Sequence, residues 1–369
     1  MRILFLTTEI GGHGGIQYAG RLFVRAMGDV FPGCSVTVVS ILDPSGVLET
    51  ASGTCEIRGG AGSRFQAARI GYSELRRSDW DLVVLGHANL APLLLLHRPM
   101  SVPVTGWIYG VEAWHPLSAA RRRGLQRLDQ VLYISRHTQQ AAWQVNHWLN
   151  RLPAAVCHLG LAAENGDRKS SEVSPVKGEF ALMIGRMASS ERYKGHEEMI
   201  RVWPRLAGLR PDLPLVVIGG GDDRARLEHL ARELKADVRF VGTVDDAARD
   251  TCLAACRAFC LPSRGEGFGL VYLEAMRQGK PVLAGSGDAG PEVVVDHVTG
   301  RTVGPTSEDE LLGGLVEVLG PKAELMGQAG RERFQEEFSY QAFVKRLAKH
   351  YRGLIEGPGR PAAASLRAT

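Results

Sequence analysis

The chain begins with an apolar run, "RILFLTT", followed by a glycine-rich stretch and then by apolar positions three and four residues apart from about Ile16 to Val30. Short apolar runs bounded by glycine or polar residues predict strands, and the 3.6-residue period predicts a helix. The same alternation continues through the runs "SVTVVSI", "DLVVLG", "PVTGWIYG" and "QVLYIS", the last followed by a helix from Arg136. From Ala162 to Glu179 the text changes to "AAENGDRKSSEVSPVKGE", polar and aperiodic, which predicts a linker. Strand-like runs then resume as "FALMIGR", "LPLVVIGGG", "VRFVGTV", "AFCLPS", "PVLAGS" and "GRTVG". A final helical period runs from about Tyr340 to Leu354, and "GPGRPAAASLRAT" at 356–369 has the composition of a flexible tail. Strands alternating with helices imply βαβ units and parallel sheets covered on both faces. The expected fold class is therefore α/β, with two doubly wound Rossmann-like domains. Ligands in such folds bind where strand ends meet helix N-termini, so the loops after the strands are the places to inspect.

Length agrees with this division, since 369 residues exceed what one hydrophobic core usually supports. With 44% hydrophobic and 23% charged residues the chain is globular, and a formal charge of +4 gives no reason to expect a nucleic-acid partner. The opening apolar run is broken by Glu9 and is too short for a signal peptide or a membrane span; "LAPLLLLHRP" is also too short and reads as core. A cytoplasmic location is expected. The six cysteines form no CxxC pair, so they are expected to be buried thiols, with no metal bound.

Three loops carry candidate chemistry. In "TEIGGHGGIQ", Gly11, Gly12, Gly14 and Gly15 flank His13 between a strand and a helix, where backbone amides and the helix dipole can meet an anion. The spacing is neither GxGxxG nor a P-loop, and a tight strand-to-helix turn would also account for it. In "RMASSERYKGHEE", Arg186 ends a strand and Lys194 precedes a glycine and a helix. Two cations at one strand end suit a diphosphate, whose charge they would neutralise. In "SRGEGFGLVYLEAM", a helix expected from Phe268 follows a glycine-rich loop, with Glu266 before it and Glu274 on its second turn. The amides of Phe268, Gly269 and Leu270 can bind phosphate or sugar oxygens, and the two carboxylates can accept hydrogen bonds from hydroxyls. Helix capping would also account for such a pair, but its combination with the two other loops tells against that.

"EGFGLVYLE" resembles the E-x7-E signature of retaining GT-B glycosyltransferases of glycosyltransferase family 4 (glycosyl transferases group 1), and "GRMASSERYKG" is similar to their GR…KG phosphate loop. "GGHGGIQYAGRL" resembles their N-terminal glycine loop, and "AGSGDAGPEVVVDHVTGRTV" the segment after the signature. The resemblance spans nearly the whole chain. It implies a GT-B fold whose domains face each other across a cleft, with 1–165 binding the acceptor and 178–339 binding the nucleotide sugar. The closing helix, 340–355, is assigned back to the first domain. The implied reaction transfers a hexose from an NDP-sugar co-substrate to an acceptor hydroxyl with retention, without metal or cofactor.

By the same resemblance, Arg186 and Lys194 bind the donor diphosphate and are catalytic with Glu266, which contacts the donor sugar. Glu274 holds the ribose, the amides of Phe268, Gly269 and Leu270 meet the sugar or distal phosphate, and Gly14 and Gly15 approach that phosphate. The base lies near Gly242 and Thr243. His13, Tyr109 and Glu112 are candidates for acceptor or sugar contact. "WIYGVEAWHP" departs from the family pattern, with Tyr109 where many relatives carry histidine, and His115 lies six positions further on. Tyrosine can donate a hydrogen bond but is a poor base near neutral pH. The family's Pro-Asn-Gly is changed to "HLGL", which keeps Gly160. Asp222 and Asp223 in "GGGDDR" read as helix caps.

Expected partners are the donor and an acceptor sugar, lipid-linked sugar or small aglycone, in surface polysaccharide, glycolipid or glycoside synthesis. Arg121, Arg122, Arg123 and Arg127 suit peripheral contact with the anionic inner face of a membrane, although a solvated helix face has the same pattern. Trp107, Trp114, Trp143 and Trp148 could stack on sugars or fill core. Two rival readings are a nucleotide-sugar-binding subunit without activity and a nicotinamide-dependent oxidoreductase. The second lacks GxGxxG after either first strand.

Overall fold

The structure, a computed structural model, describes residues 1–50, 53–97, 102–162 and 176–355. Most of the expected linker, at 163–175, and the expected tail at 356–369 lie outside the described residues. The chain forms two compact units. One comprises Met1–Gly160 with the helix Tyr340–Ile355, and the other Leu161–Ser339.

The first unit is built on eight strands: β1 (Arg2–Thr7), β2 (Ser35–Ser40), β3 (Gly46–Thr50), β4 (Gly53–Gly59), β5 (Leu82–Leu85), β6 (Val104–Ile108), β7 (Gln130–Tyr133) and β8 (Ala154–Val156). Their order is β3-β4-β2-β1-β5-β6-β7-β8, parallel throughout except for the β3–β4 hairpin. The central runs are continuously apolar because both faces are covered: "LVVL" of β5 is buried at every position. The edge elements escape the sequence pattern for the converse reason. β4 alternates Glu56 and Arg58 with buried Cys55 and Ile57, and β8 has only three residues.

The helix Gly15–Val30 covers this sheet with Leu22, Phe23, Met27 and Val30. The helix Tyr340–Ile355, far away in sequence, buries Phe343, Leu347 and Tyr351 in the same unit. Its Tyr351 hydroxyl accepts from Trp107 Nε1 at 3.2 Å and lies 3.2 Å from Thr105 Oγ1. Arg346 donates to the carbonyls of His158 and Leu159. Three fully buried large side chains contribute roughly 1.5–3 kcal/mol each before the entropy of ordering is set against them. That is why the helix belongs to this unit.

The second unit holds β9 (Ala181–Ile184), β10 (Leu215–Ile218), β11 (Val238–Gly242), β12 (Ala258–Leu261), β13 (Val282–Gly285) and β14 (Gly300–Val303). All are parallel, in the order β11-β10-β9-β12-β13-β14. The order reverses between β9 and β12: the chain passes from β9 to its neighbour β10 on one side and from β12 to its neighbour β13 on the other. Cys252, Cys256 and Cys260 are buried free thiols, and burial pushes Cys256 up to about 12. Among the described residues no helix is long and apolar enough to cross a membrane.

One local expectation is corrected. Asp223 stands before the helix Arg224–Glu233, but its carboxylate caps no amide. Arg226 and Arg192 hold it instead, at 2.7 and 3.0 Å, and their hydrogen bonds keep its pKa down at about 2, with Arg226 the larger influence. Asp222 reaches back to Ser189, accepting from its amide at 2.9 Å. Guanidinium groups nearby outcompete an amide for a carboxylate because both partners are charged.

Candidate active site

In the second unit, the loops after β9 and β12 fit closely together. The first leaves β9 at Gly185 and Arg186, makes a tight turn over Ser189–Lys194, and passes through Gly195 into the helix His196–Ala207. Gly195 has φ +84°, and a Cβ there would lie 2.6 Å from the Pro262 carbonyl oxygen, so only glycine lets the two loops approach. Arg264 N donates to the Tyr193 carbonyl at 2.9 Å, and the Tyr193 ring fills the space beside Gly265.

This approach brings Arg186, Lys194 and Glu266 into one charge string through a residue the sequence reading passed over, Glu191. Lys194 Nζ lies 3.1 Å from Glu266 Oε1 and 3.7 Å from Glu191 Oε2, and Arg186 pairs with Glu191. The Lys194 side chain is only 16% exposed and that of Arg186 is 75% exposed. Burial by itself would lower the lysine, but Glu266, Tyr193 and Glu191 together hold its pKa above the ordinary value. Lys194 is therefore a fixed cation at neutral pH, and Arg186 is one open to an incoming anion.

Asp288, beyond β13, was also not singled out from the sequence. Its buried carboxylate accepts from the amides of Glu266 and Gly290, each at 2.8 Å, while Ala289 N donates to the Glu266 carbonyl at 3.2 Å. The backbone that carries Glu266 is thus tied to the next strand's loop. Burial pushes the Asp288 pKa up to about 7; the amide hydrogen bonds and Ser263 oppose this, and Glu266 adds to it.

The helix after this loop is Leu270–Arg277, beginning two residues later than expected because Gly269 takes φ +87° as its cap. Glu274 lies on it, not within the Lys194 string but 3.6 Å from Arg249 Nη2 of the helix Asp246–Ala255. Burial raises the Glu274 pKa, with Arg249 and then Arg277 pulling it down. Phe268 is buried with its ring edge-on to Phe338, and Leu270 is half-buried at the first helical position. Gly242 closes β11 with φ +90°, accepting from Gly219 N at 2.9 Å, and Thr243 is exposed beyond it.

In the first unit, the glycine loop follows β1, between β2 and β5, at the point where that sheet's order reverses. Asp43 holds it by accepting from Ile10 N at 2.7 Å and Gly11 N at 2.9 Å, and Arg21 donates to the carbonyls of Ile10 and Gly12. His13, Gly14 and Gly15 are left exposed at the helix start. Nothing near the loop in sequence announces Asp43; parallel pairing of β1 with β2 brings it there.

Tyr109 is buried, its ring stacked on Trp107 at 6.2 Å, and burial followed by Glu112 raises its hydroxyl well above the ordinary tyrosine value. A buried phenol of this kind stays protonated. Glu112 closes the turn by accepting from Tyr109 N at 2.5 Å, and His115 is exposed. The tryptophans are used in packing: Trp107 bonds Tyr351, Trp143 bonds Tyr133, Trp114 meets His137 edge-on, and Trp148 lies under Arg122. Arg127 donates to the Leu94 carbonyl. Among the described residues no three or more His, Cys, Asp or Glu gather as metal ligands.

Glycosyl transferases group 1 is the family that matches, over residues 166–333. A GDP-mannose-dependent monoacylated alpha-(1-6)-phosphatidylinositol monomannoside mannosyltransferase of Corynebacterium glutamicum is 28% identical over 301 residues, 74% of this chain and 76% of that protein. Among solved structures, sucrose-phosphate synthase from Thermosynechococcus elongatus superposes with a TM-score of 0.76 at 21% identity, covering 96% of this chain and all of that one. Anabaena HepE in complex with UDP and glucose gives 0.72 at 18% identity with 96% and 100% coverage. Fold, family match and homologous mannosyltransferase agree on a glycosyltransferase of GT-B fold, in which residues 166–333, within the second unit, match glycosyl transferases group 1.

Proposed function

We propose that the protein is a retaining, metal-independent hexosyltransferase of glycosyltransferase family 4, transferring mannose from GDP-mannose to a glycolipid hydroxyl. The donor and acceptor class are taken from the Corynebacterium relative, and its 28% identity over three quarters of the chain is what supports them. The observation that carries the reaction is the meeting of Arg186, Lys194 and Glu266 at the reversal point of the second sheet. There Arg186 and Lys194 neutralise the donor diphosphate, Glu266 hydrogen-bonds the sugar, and Glu274 accepts from the ribose hydroxyls. As the bond from the anomeric carbon to the phosphate oxygen breaks, negative charge grows on the phosphate and the two cations stabilise it. The acceptor oxygen forms its new bond on the face the phosphate leaves, and its proton passes to a phosphate oxygen. Tyr109, buried and protonated, has no part as a base. Arg121 and Arg123 give the unit a basic surface for an anionic membrane that presents such an acceptor.

The test is incubation with GDP-mannose, UDP-glucose and other nucleotide sugars in the presence of a chelator, with phosphatidylinositol mannosides as acceptors. Nuclear magnetic resonance reads the anomeric configuration of the product. Transfer from GDP-mannose with retained configuration is expected. Inversion, a requirement for divalent metal, or transfer from no nucleotide sugar would sink the reading.

A further inference from the structure

Glu191 is the member of the charge string that the proposed reaction does not use. Its Oε1 pairs with Arg186, while Oε2, buried and 3.7 Å from Lys194 Nζ, accepts no hydrogen bond. Lys194 is therefore flanked by two carboxylates, Glu191 and Glu266, and Arg186 stands on the far side of Glu191. The four formal charges cancel. An anion that reaches for both cations meets the Glu191 carboxylate first, since its two oxygens already lie against them.

We propose that Glu191 is a resident counter-anion and a specificity-determining residue, occupying Arg186 and Lys194 until a complete nucleotide sugar displaces it. This rests on the reading of those cations as the diphosphate clamp. The chemistry favours large ligands over small ones. Free phosphate or pyrophosphate gains only the two cations and must still evict a carboxylate that is already paired with them. A nucleotide sugar gains further bonds, from its sugar hydroxyls to Glu266 and its ribose to Glu274, which offset the eviction. The return of Glu191 after transfer then speeds departure of the nucleoside diphosphate.

The experiment is calorimetric titration of pyrophosphate, GDP and UDP into the full chain as wild type, Glu191→Gln, Glu191→Ala, Lys194→Ala and the Glu191→Gln/Lys194→Ala double variant, with melting temperatures recorded for each. Removing the competing charge is expected to tighten pyrophosphate binding about tenfold in both Glu191 variants, equivalent to ~1.4 kcal/mol. The gain is expected to vanish in the double variant, and product inhibition by the nucleoside diphosphate to strengthen as turnover slows. A purely structural Glu191 would weaken all three ligands together, and unchanged or weaker pyrophosphate binding in a folded Glu191 variant overturns the proposal. If wild type binds GDP or UDP and Lys194→Ala does not, that overturning leaves the clamp reading standing. If wild type and Lys194→Ala bind all three ligands alike, the clamp reading and this proposal fall together.

Discussion

Replacing Asp288 by asparagine should change how the second unit's stability depends on pH. Asp288 is 5% exposed, and its pKa is about 7 against an ordinary 3.8. Between those values the folded state binds the proton that the unfolded state has released, so stability falls as pH rises and levels off above about 7. At 1.36 kcal/mol per unit the shift amounts to about 4 kcal/mol. His196 acts in the opposite sense. Burial, and next Lys194, lower it from 6.5 to about 4, so the unfolded state binds the proton first and stability rises with pH across that window by about 3 kcal/mol. In the wild type the two slopes nearly cancel from about pH 4 to 6.5. Asparagine removes one of them.

Urea denaturation of wild type and Asp288→Asn from pH 4.5 to 8 reads the difference. The variant should gain stability with rising pH where the wild type is nearly flat. The difference between the two curves should climb by about 3 kcal/mol across this range, the part of the full shift that lies above pH 4.5, offset downward by about 1–3 kcal/mol at every pH because the amide cannot accept from both Glu266 N and Gly290 N. Parallel curves would refute the reasoning, because they would mean that Asp288 ionises alike in the folded and unfolded chain.

Lys194→Ala should lower kcat/KM for transfer by about 10²–10³-fold, as loss of a group that stabilises developing charge does. Its stability should fall by only about 1–2 kcal/mol, because the pair with Glu266 keeps partial contact with solvent; steady-state kinetics beside thermal melts separate the two effects. Gly195→Ala should destabilise by about 2–4 kcal/mol, combining an unfavourable positive φ with a Cβ 2.6 Å from the Pro262 carbonyl oxygen. A change under about 0.5 kcal/mol in chemical denaturation would show that the two loops are not locked at that point.

Much of this protein can be read locally. All six strands of the second sheet follow apolar runs visible in the sequence; the inner four, β9, β10, β12 and β13, are buried almost throughout, and a strand buried on both faces admits almost nothing else. The edge hairpin of β3 and β4 cannot be read that way, since its outer positions face water and tolerate Glu56 and Arg58. The candidate site divides along the same line. Arg186, Lys194, Glu266 and Glu274 stand in spaced motifs beside glycines whose backbone demands are local, so their types and order alone single them out.

Their partners came only with the fold. Asp288 meets the Glu266 amide from the next strand's loop, Arg249 reaches Glu274 from another helix, and Asp43 holds Ile10 and Gly11 from 32 or more residues away. Glu191 lies in the same "RMASSERYKGHEE" segment as Arg186 and Lys194, yet its place between two cations depends on the turn that precedes Gly195. Tyr109 shows the same limit, since its position suggested a sugar contact and packing on Trp107 decided that it is buried. The sequence by itself determined which segments become strands and helices and which loops carry charge, because those depend on period, glycine and local charge. The tertiary structure decided which charges pair and which are desolvated, because Coulomb energy and burial depend on distances between strand ends that chain order does not encode.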